Sequence, residues 1–412
     1  MSDSDDNANN LPDGQMENGH ISVDSQFNFS RERHSGTNQA SDQFDIDLPT
    51  SHRYLGKLDN VTGYTFYDDG EVATLAAIQT NTLVFPGFTL PLVLNNDLEI
   101  NMLQRHTSKK NAFVLLTPDK TFKGFFTYGV IMEIFETHLR NSVLYLKARS
   151  RQRCRLVPGK EIKTLIGDLY QVTVEVMLEP PPTSPLCNTQ LNSLKIRKLF
   201  NCTEYREFYK YRKFRLFHLS QFPLASWVYD KHEICFLHHK LVNALSNYYL
   251  IEFIPDDPVQ LSYWFVQNFQ LRHEERLRIM VLRTAVERLR LELKYLNMKR
   301  LICCAKCDAE IAQHSNVFPM SKDGVQSNYC NPEGYVFETV TVSKATNFTL
   351  FGSPSAQFSW FPGYSWTIMH CKMCSSHLGW KFSSVNLKPA VFYGLAKSGF
   401  DIKIVKEESE VL

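Results

Sequence analysis

The sequence predicts a multidomain α+β protein: a β-rich first domain, a helical bundle, and a second all-β domain stapled by zinc. Three observations predict this. The apolar pattern changes from runs of β-branched and aromatic residues to helical spacing near residue 190, and changes back after Lys299. At 412 residues the chain is too long for one ordinary core. Two matched pairs, Cys304-x-x-Cys307 and Cys371-x-x-Cys374, bracket most of the last β-rich stretch.

The first 48 residues read as a disordered tail. They hold ten acids against Arg31 and Arg33, and almost no aliphatic clusters that would repay ordering. With a total of +2, the remainder carries +10, a mild excess below what dedicated nucleic-acid binding usually shows. No run approaches a membrane span, and the N-terminus lacks the basic-then-apolar layout of a signal peptide. The expected location is cytosol or nucleus. There paired cysteines favour metal over disulfide, and the sequons at Asn60, Asn201 and Asn347 are chance matches.

From residue 49 to 186 a β domain is expected. Thr82-Leu83-Val84-Phe85 reads as a short strand stopped by Pro86-Gly87, with further strands at 90–94, 112–117, 143–149 and 170–178. The run Glu179-Pro180-Pro181-Pro182-Thr183-Ser184-Pro185 is a stiff connector. Residues 187–299 read as helical. Ile279, Leu282, Val286, Leu289, Leu293 and Leu296 recur at 3, 4, 3, 4, 3, with charges on the other face, as expected of one bundle helix. Residues 300–402 read as strands again, at 335–342, 347–351 and 365–369, followed by a charged tail at 403–412.

Four thiolates from two knuckles complete a tetrahedral zinc site with no open position, so Cys304, Cys307, Cys371 and Cys374 are expected to hold a structural ion. His377 is a competing ligand by position, and Cys303 sits too close to Cys304 to share the metal. Trp360, Trp366 and Trp380 fall within 21 positions, among Phe358, Phe361, Tyr364 and Phe382. On Gly- and Pro-punctuated stretches tied to a zinc knuckle they suggest an aromatic cage, suited to a flat neutral ring or a methylated ammonium. The basic-aromatic tract Tyr205–Arg215 suits an amphipathic helix with a solvated basic side better than nucleic acid. No GxxxxGK[ST], GxSxG, HExxH or helix-opening GxGxxG occurs, so nucleotide-driven or hydrolytic chemistry has no motif behind it.

Tyr329-Cys330-Asn331-Pro332-Glu333-Gly334-Tyr335-Val336, Ser359-Trp360-Phe361-Pro362-Gly363-Tyr364-Ser365-Trp366 and His377-Leu378-Gly379-Trp380-Lys381-Phe382 resemble the thalidomide-binding CULT (β-tent) domain of the cereblon family. Phe85-Pro86-Gly87-Phe88-Thr89-Leu90-Pro91-Leu92 and Arg151-Gln152-Arg153 are similar to the Lon N-terminal domain that precedes it there. Leu261-Ser262-Tyr263 and residues 279–296 resemble the intervening helical part, so the likeness spans 49–402 in order. The resemblance implies a non-catalytic substrate receptor of a Cullin-4 RING ubiquitin ligase. Its helical region would dock on the damaged-DNA-binding adaptor subunit, reaching Cullin-4 and the RING subunit through it. Its C-terminal domain would hold targets ending in a cyclic imide, or a glutarimide drug, with Trp360, Trp366 and Trp380 as walls, Phe382 as floor and Asn331-Pro332 at the rim. Backbone groups around Phe358 would bond the imide. Phe358, Glu333 and Phe337 stand where the family usually has histidine, and Ser150 where it often has glycine. Two other classes compete: a methionine sulfoxide reductase of the B type, for which Cys303 and Cys330 are the available thiols without the matching motif, and a methyl-ammonium reader.

Overall fold

The computed structural model describes residues 43–181, 228 and 231–405, except 62, 64, 65, 109, 120–123, 247, 248 and 250. The tract 205–215 lies outside these residues. Among the described residues no helix is long and apolar enough to cross a membrane.

The N-terminal end of the described chain departs from the expected tail. Residues 43–48 are ordered because Phe44, 6% exposed, inserts between Phe361 and Tyr364, with Ile46 and Leu48 packed beside it. A single aromatic side chain in an otherwise polar stretch supplies the anchor that average composition hides. A short helix α1 (Asp47–Thr50) and a 3₁₀ turn (Arg53–Leu55) follow.

The first β domain contains β1 (Asp59–Asn60), β2 (Val72–Gln79), β3 (Thr89–Leu94), helix α2 (Asp97–Thr107), β4 (Ala112–Leu116), β5 (Tyr128–Arg140), β6 (Val143–Leu156), β7 (Lys163–Ile166) and β8 (Leu169–Val176). The pairing runs β5–β4–β2–β8–β6 and returns to β5, so five strands close into a barrel without free edges. Only β2–β4 is parallel within this sheet. The continuous apolar run of β4 follows from burial on both faces. Ala112, Val114 and Leu116 fill one core with Ile131 and Val172, while Phe113 and Leu115 fill another with Met132 and Leu146.

Two expectations fail here for local reasons. Thr82–Phe85 is buried but is not a strand, because the Leu83 carbonyl accepts from Arg276 Nη2 at 2.6 Å instead of from a neighbouring strand. Helix α2 was hidden by its narrow apolar stripe, since only Ile100, Leu103 and Thr107 are buried. Its start is marked by Asn96, whose side chain accepts from the Leu98 N–H at 3.0 Å.

The helices are α3 (Ile234–Leu245), α4 (Pro258–Asn268), α5 (His273–Val281) and α6 (Ala285–Leu296). The single helix expected over 279–296 is two. Leu282 is extended, and Thr284 opens α6 with a capping box in which its Oγ1 accepts from Glu287 N–H while the Glu287 carboxylate accepts from Thr284 N–H. Arg153 Nη1 takes the freed Leu282 carbonyl at 2.6 Å, which compensates the broken turn.

The C-terminal domain has two antiparallel sheets. Its strands are β9 (Arg300–Cys304), β10 (Glu310–Gln313), β11 (Gln326–Cys330), β12 (Val336–Val342), β13 (Phe348–Ser355), β14 (Ser365–Cys371), β15 (His377–Ser383), β16 (Val391–Ala396) and β17 (Phe400–Ile404). A sheet β10–β9–β17 faces a sheet β11–β12–β16–β15–β14–β13. Ile302, Ile311, Val340, Val342, Met369, Leu378, Leu395 and Phe400 form the core between them.

A polar seam joins the helices to this domain. Arg300 on β9 pairs with Glu275 on α5 through contacts of 2.8 and 3.2 Å, and Arg276 pairs with Glu338 on β12 at 2.5 Å. Asn268 closes the seam at α4, donating to the Asp323 carbonyl and accepting from Val325 N–H. Gly324 is required at this point: its φ is +116°, and a Cβ there would stand 2.0 Å from Asn268 Oδ1.

Candidate metal centre and aromatic cage

The two cysteine knuckles are built alike. Cys304 ends β9 and Cys307 lies in the turn after it; Cys371 ends β14 and Cys374 lies in the β14–β15 turn. In one, Asp308 N–H donates to Cys304 O; in the other, Ser375 N–H donates to Cys371 O. Asp308 (φ 63°) and Ser375 (φ 58°), each one residue past the second cysteine, take the left-handed conformation that turns the chain back. The sulfurs approach at 3.6 Å (Cys304–Cys374) and 3.5 Å (Cys307–Cys371), and all four lie within 4.8 Å of one another. Zinc–sulfur bonds of about 2.3 Å at tetrahedral angles require sulfur–sulfur separations of about 3.8 Å, so the geometry fits one structural Zn²⁺. Cys374 Sγ also lies 3.2 Å from Ser376 Oγ. His377 is not among these ligands; it packs against Trp380 at 4.9 Å. Cys303 is likewise outside the cluster, 3% exposed, with its thiol pushed up by burial.

All four aromatic positions expected to form the cage join one cluster with Tyr329, Phe337, Phe361, Tyr364 and Phe392. Trp366 on β14 and Trp380 on β15 share a sheet face, because Trp366 registers with Phe382 and Ile368 with Trp380. Trp360 lies on the loop between β13 and β14. It meets Trp380 edge to face at 4.7 Å and 73°, so the two rings form a corner instead of parallel walls. Trp360 is 7% exposed, stacked on Tyr329 at 4.9 Å and 10°, and its Nε1–H donates to the Cys330 carbonyl at 3.3 Å. Phe382 is a buried underlayer, 1% exposed and stacked on Phe392 at 5.0 Å. Phe337 was missed as a cage residue. It stands edge-on to Trp380 at 5.0 Å, and its place on β12 pairs it across the strand with Tyr329.

The rim residues occupy two turns. Asn331 receives Tyr335 N–H on Oδ1 and donates Nδ2 to Glu333, while Pro332 is exposed. Phe358 is 53% exposed at φ 54°, and the carbonyl of Gln357 before it accepts from Trp366 Nε1–H at 2.8 Å. The cage loop is thereby tied to β14 through a tryptophan wall. Away from the cage, a cleft of about 640 Å³ lined by Phe88, Arg149, Tyr263, Trp264, Lys322 and Asp323 holds cations and carboxylates together.

A family model described as the ATP-dependent protease La (LON) substrate-binding domain matches residues 74–298. A second, described as Yippee zinc-binding/DNA-binding/Mis18, centromere assembly, matches 300–411. Protein cereblon of Gallus gallus is 31% identical over 391 residues, covering 89% of this chain and 87% of its own. Protein cereblon of Danio rerio is 33% identical over 377 residues, covering 86% and 87%. The chain belongs to the cereblon family.

Within this cereblon-family chain the zinc and two of the tryptophan walls share one hairpin. β14 and β15 carry Cys371 and Cys374 at their connected end, and Trp366 and Trp380 further along. Gly379 permits the close packing of β15 on β16: its φ is +141°, and a Cβ would lie 2.0 Å from Gly394 O.

Proposed function

We propose that this protein is the substrate receptor of a Cullin-4 RING ubiquitin ligase, and that its cage holds the cyclic imide of a target's modified C-terminus or of a glutarimide drug. The observation that carries this reading is the zinc-clamped β14–β15 hairpin presenting Trp366 and Trp380 beside the Trp360 corner, in a chain of the cereblon family. A neutral imide suits these walls: apolar rings exclude water, which strengthens hydrogen bonds to the backbone around Phe358. A ligand of about eight heavy atoms gains roughly 6–8 kcal/mol at ordinary ligand efficiencies, which is micromolar binding and permits turnover. Helices α3 to α6 face the ligase adaptor in this reading, with Cullin-4 and the RING subunit reached through it, in the cytosol or nucleus.

The chain acts by tethering and not by its own catalysis. A reductase needs a thiolate, yet Cys330 is 1% exposed and burial pushes its thiol up to about 12. Calorimetric titration of the full chain with glutarimide and with a trimethyl-lysine peptide tests the cage; only the imide binds. In Trp380→Ala the imide affinity falls at least about thirtyfold, as for a buried aromatic anchor, while zinc content is unchanged. Equal imide affinity in that variant would place the site elsewhere.

A further inference from the structure

Two cage walls and the third are held by different means. Trp366 and Trp380 stand on the hairpin that the metal clamps, but Trp360 stands on the preceding loop, outside the zinc knuckles. Besides its ring contacts with Trp380 and Phe337, it is fastened by the hydrogen bond of its indole N–H to Cys330 O and by the stack on Tyr329. Both of these residues, paired with β12 within the zinc domain, are also contacted from outside it. Cys330 N–H donates to Tyr54 Oη at 3.1 Å, and Tyr329 meets the edge of His52 at 6.0 Å and 64°. Tyr54 Oη and His52 Nδ1 are 3.0 Å apart.

We propose that His52 and Tyr54 are positioning residues for the Trp360 wall, so that a short N-terminal segment docked on the barrel domain sets the shape of the imide site. This rests on the cage reading above and adds to it a determinant far in sequence from the cage.

Tyr54 links Cys330 to His52. Tyr54 Oη accepts from Cys330 N–H, and its bond with His52 Nδ1 runs in the direction that the imidazole tautomer sets. The imidazole stays neutral, because burial and then the charge of Lys147 bring its pKa down to about 3. His52 is 3% exposed at φ 47°, a left-handed conformation imposed by the turn into Arg53–Leu55. The segment is fixed to the barrel on its other side. Lys147 of β6 donates to Ser51 O at 2.8 Å while paired with Glu136 at 2.7 Å. Leu55 and Tyr54 pack with Val93 of β3, Tyr145 of β6 and Cys330. Gly334, in the rim turn, sits so close to β3 that a Cβ would lie 2.6 Å from Val93 O.

The test uses the full zinc-loaded chain carrying 5-fluorotryptophan, with the Trp360 resonance assigned by Trp360→Phe. In Tyr54→Phe the Trp360 fluorine signal shifts or broadens while those of Trp366 and Trp380 hold. Glutarimide then binds about fivefold more weakly, the ordinary worth of one hydrogen bond, with zinc content unchanged. Tyr170→Phe, which removes a hydroxyl bonded to Gln79 at 3.2 Å, moves none of these. Should Tyr54→Phe fail to fold, His52→Asn, which tolerates the left-handed φ and removes the ring from Tyr329, takes its place with the same readouts. An unmoved Trp360 signal, or equal movement of all three tryptophans, overturns the proposal. Absence of glutarimide binding by the unaltered chain defeats the ligand reading alone, because the fluorine signal is read without ligand.

Discussion

Arg300→Met removes the cation from a buried pair that joins the helices to the strand carrying Cys304. The two side chains are 1% and 3% exposed, and Arg300 makes contacts of 2.8 and 3.2 Å to the Glu275 oxygens. Removing one partner of such a pair costs about 3–5 kcal/mol, chiefly because the other charge stays buried. Arg272 remains 3.4 Å from Glu275 with a 43% exposed side chain, so the lower end, about 3 kcal/mol, is expected. The double variant Glu275→Leu/Arg300→Met leaves no stranded charge and recovers most of that loss. The pH dependence has a definite sign. Burial pushes the Glu275 carboxyl up, but Arg300's hydrogen bonds, then the Arg272 N–H and both guanidinium charges, bring it below its ordinary value. Its contribution is therefore complete above about pH 4.3 and is lost as pH falls through the lower native value. In Arg300→Met the burial effect dominates, the carboxyl rises, and the deficit against the unaltered chain narrows as pH drops from 7 towards 4. Urea denaturation followed by circular dichroism at pH 7 and pH 5 measures both. A loss under 1 kcal/mol in the single variant, or a double variant no better than the single, would refute the reasoning.

Three further outcomes are expected. Cys371→Ala, or a strong chelator, releases one equivalent of zinc and unfolds residues 300–404, because structural zinc supplies more free energy than a domain this size retains; metal analysis and circular dichroism check it. Gly379→Ala forces a Cβ to within 2.0 Å of Gly394 O at φ +141° and destabilises the C-terminal domain by about 3 kcal/mol, read as a lowered urea midpoint. Phe358→His restores a side-chain hydrogen bond at a left-handed position that histidine tolerates, and raises imide affinity about fivefold in the same titration as above.

What the sequence made legible was local or strictly periodic. Paired Cys-x-x-Cys spacing defines a knuckle by itself, so the four ligands could be named without knowing how the strands meet. Strands with alternating or continuous apolar runs, such as those expected at 112–117 and 143–149, were visible for the same reason, although the second continues to Leu156. The errors arose where a distant group decides a local conformation. Leu83 gives its carbonyl to Arg276, nearly two hundred residues on, and so never joins a ladder. The apolar spacing across Leu282 stays in register through a break, because three non-helical residues displace the stripe little; the Thr284-x-x-Glu287 capping signal was present and outweighed the periodicity. In the cage, the tryptophans were found by clustering in sequence. Phe337, Tyr329 and Tyr54 reach them only through strand pairing and docking, and no spacing rule brings them to notice.

In the proposed cage the metal acts through the hairpin and not by touching a ligand. A two-stranded hairpin is marginally stable alone, and its open end frays first. Here the connected end of β14–β15 is clamped by sulfur, and Trp366 stands five residues from Cys371, about 17 Å along the strand. β16 pairs with β15 from Gly379 to Ser383, so Trp380 lies between two bonded neighbours, whereas β14 leans outward on β13, whose register shifts between Phe351 and Ser355. The stiff side of the cage is therefore the Trp380 side. The outer side depends on Trp366 Nε1–H holding Gln357 O, and on Trp360 being held from Cys330. Metal and hydrogen bonds thus divide the work by position: zinc clamps the hairpin at its base, and two indole N–H groups fasten the loop that carries Trp360. An apolar replacement of either indole would lose a wall and release a loop at once, which is why the tryptophans cannot be exchanged for phenylalanine on size alone.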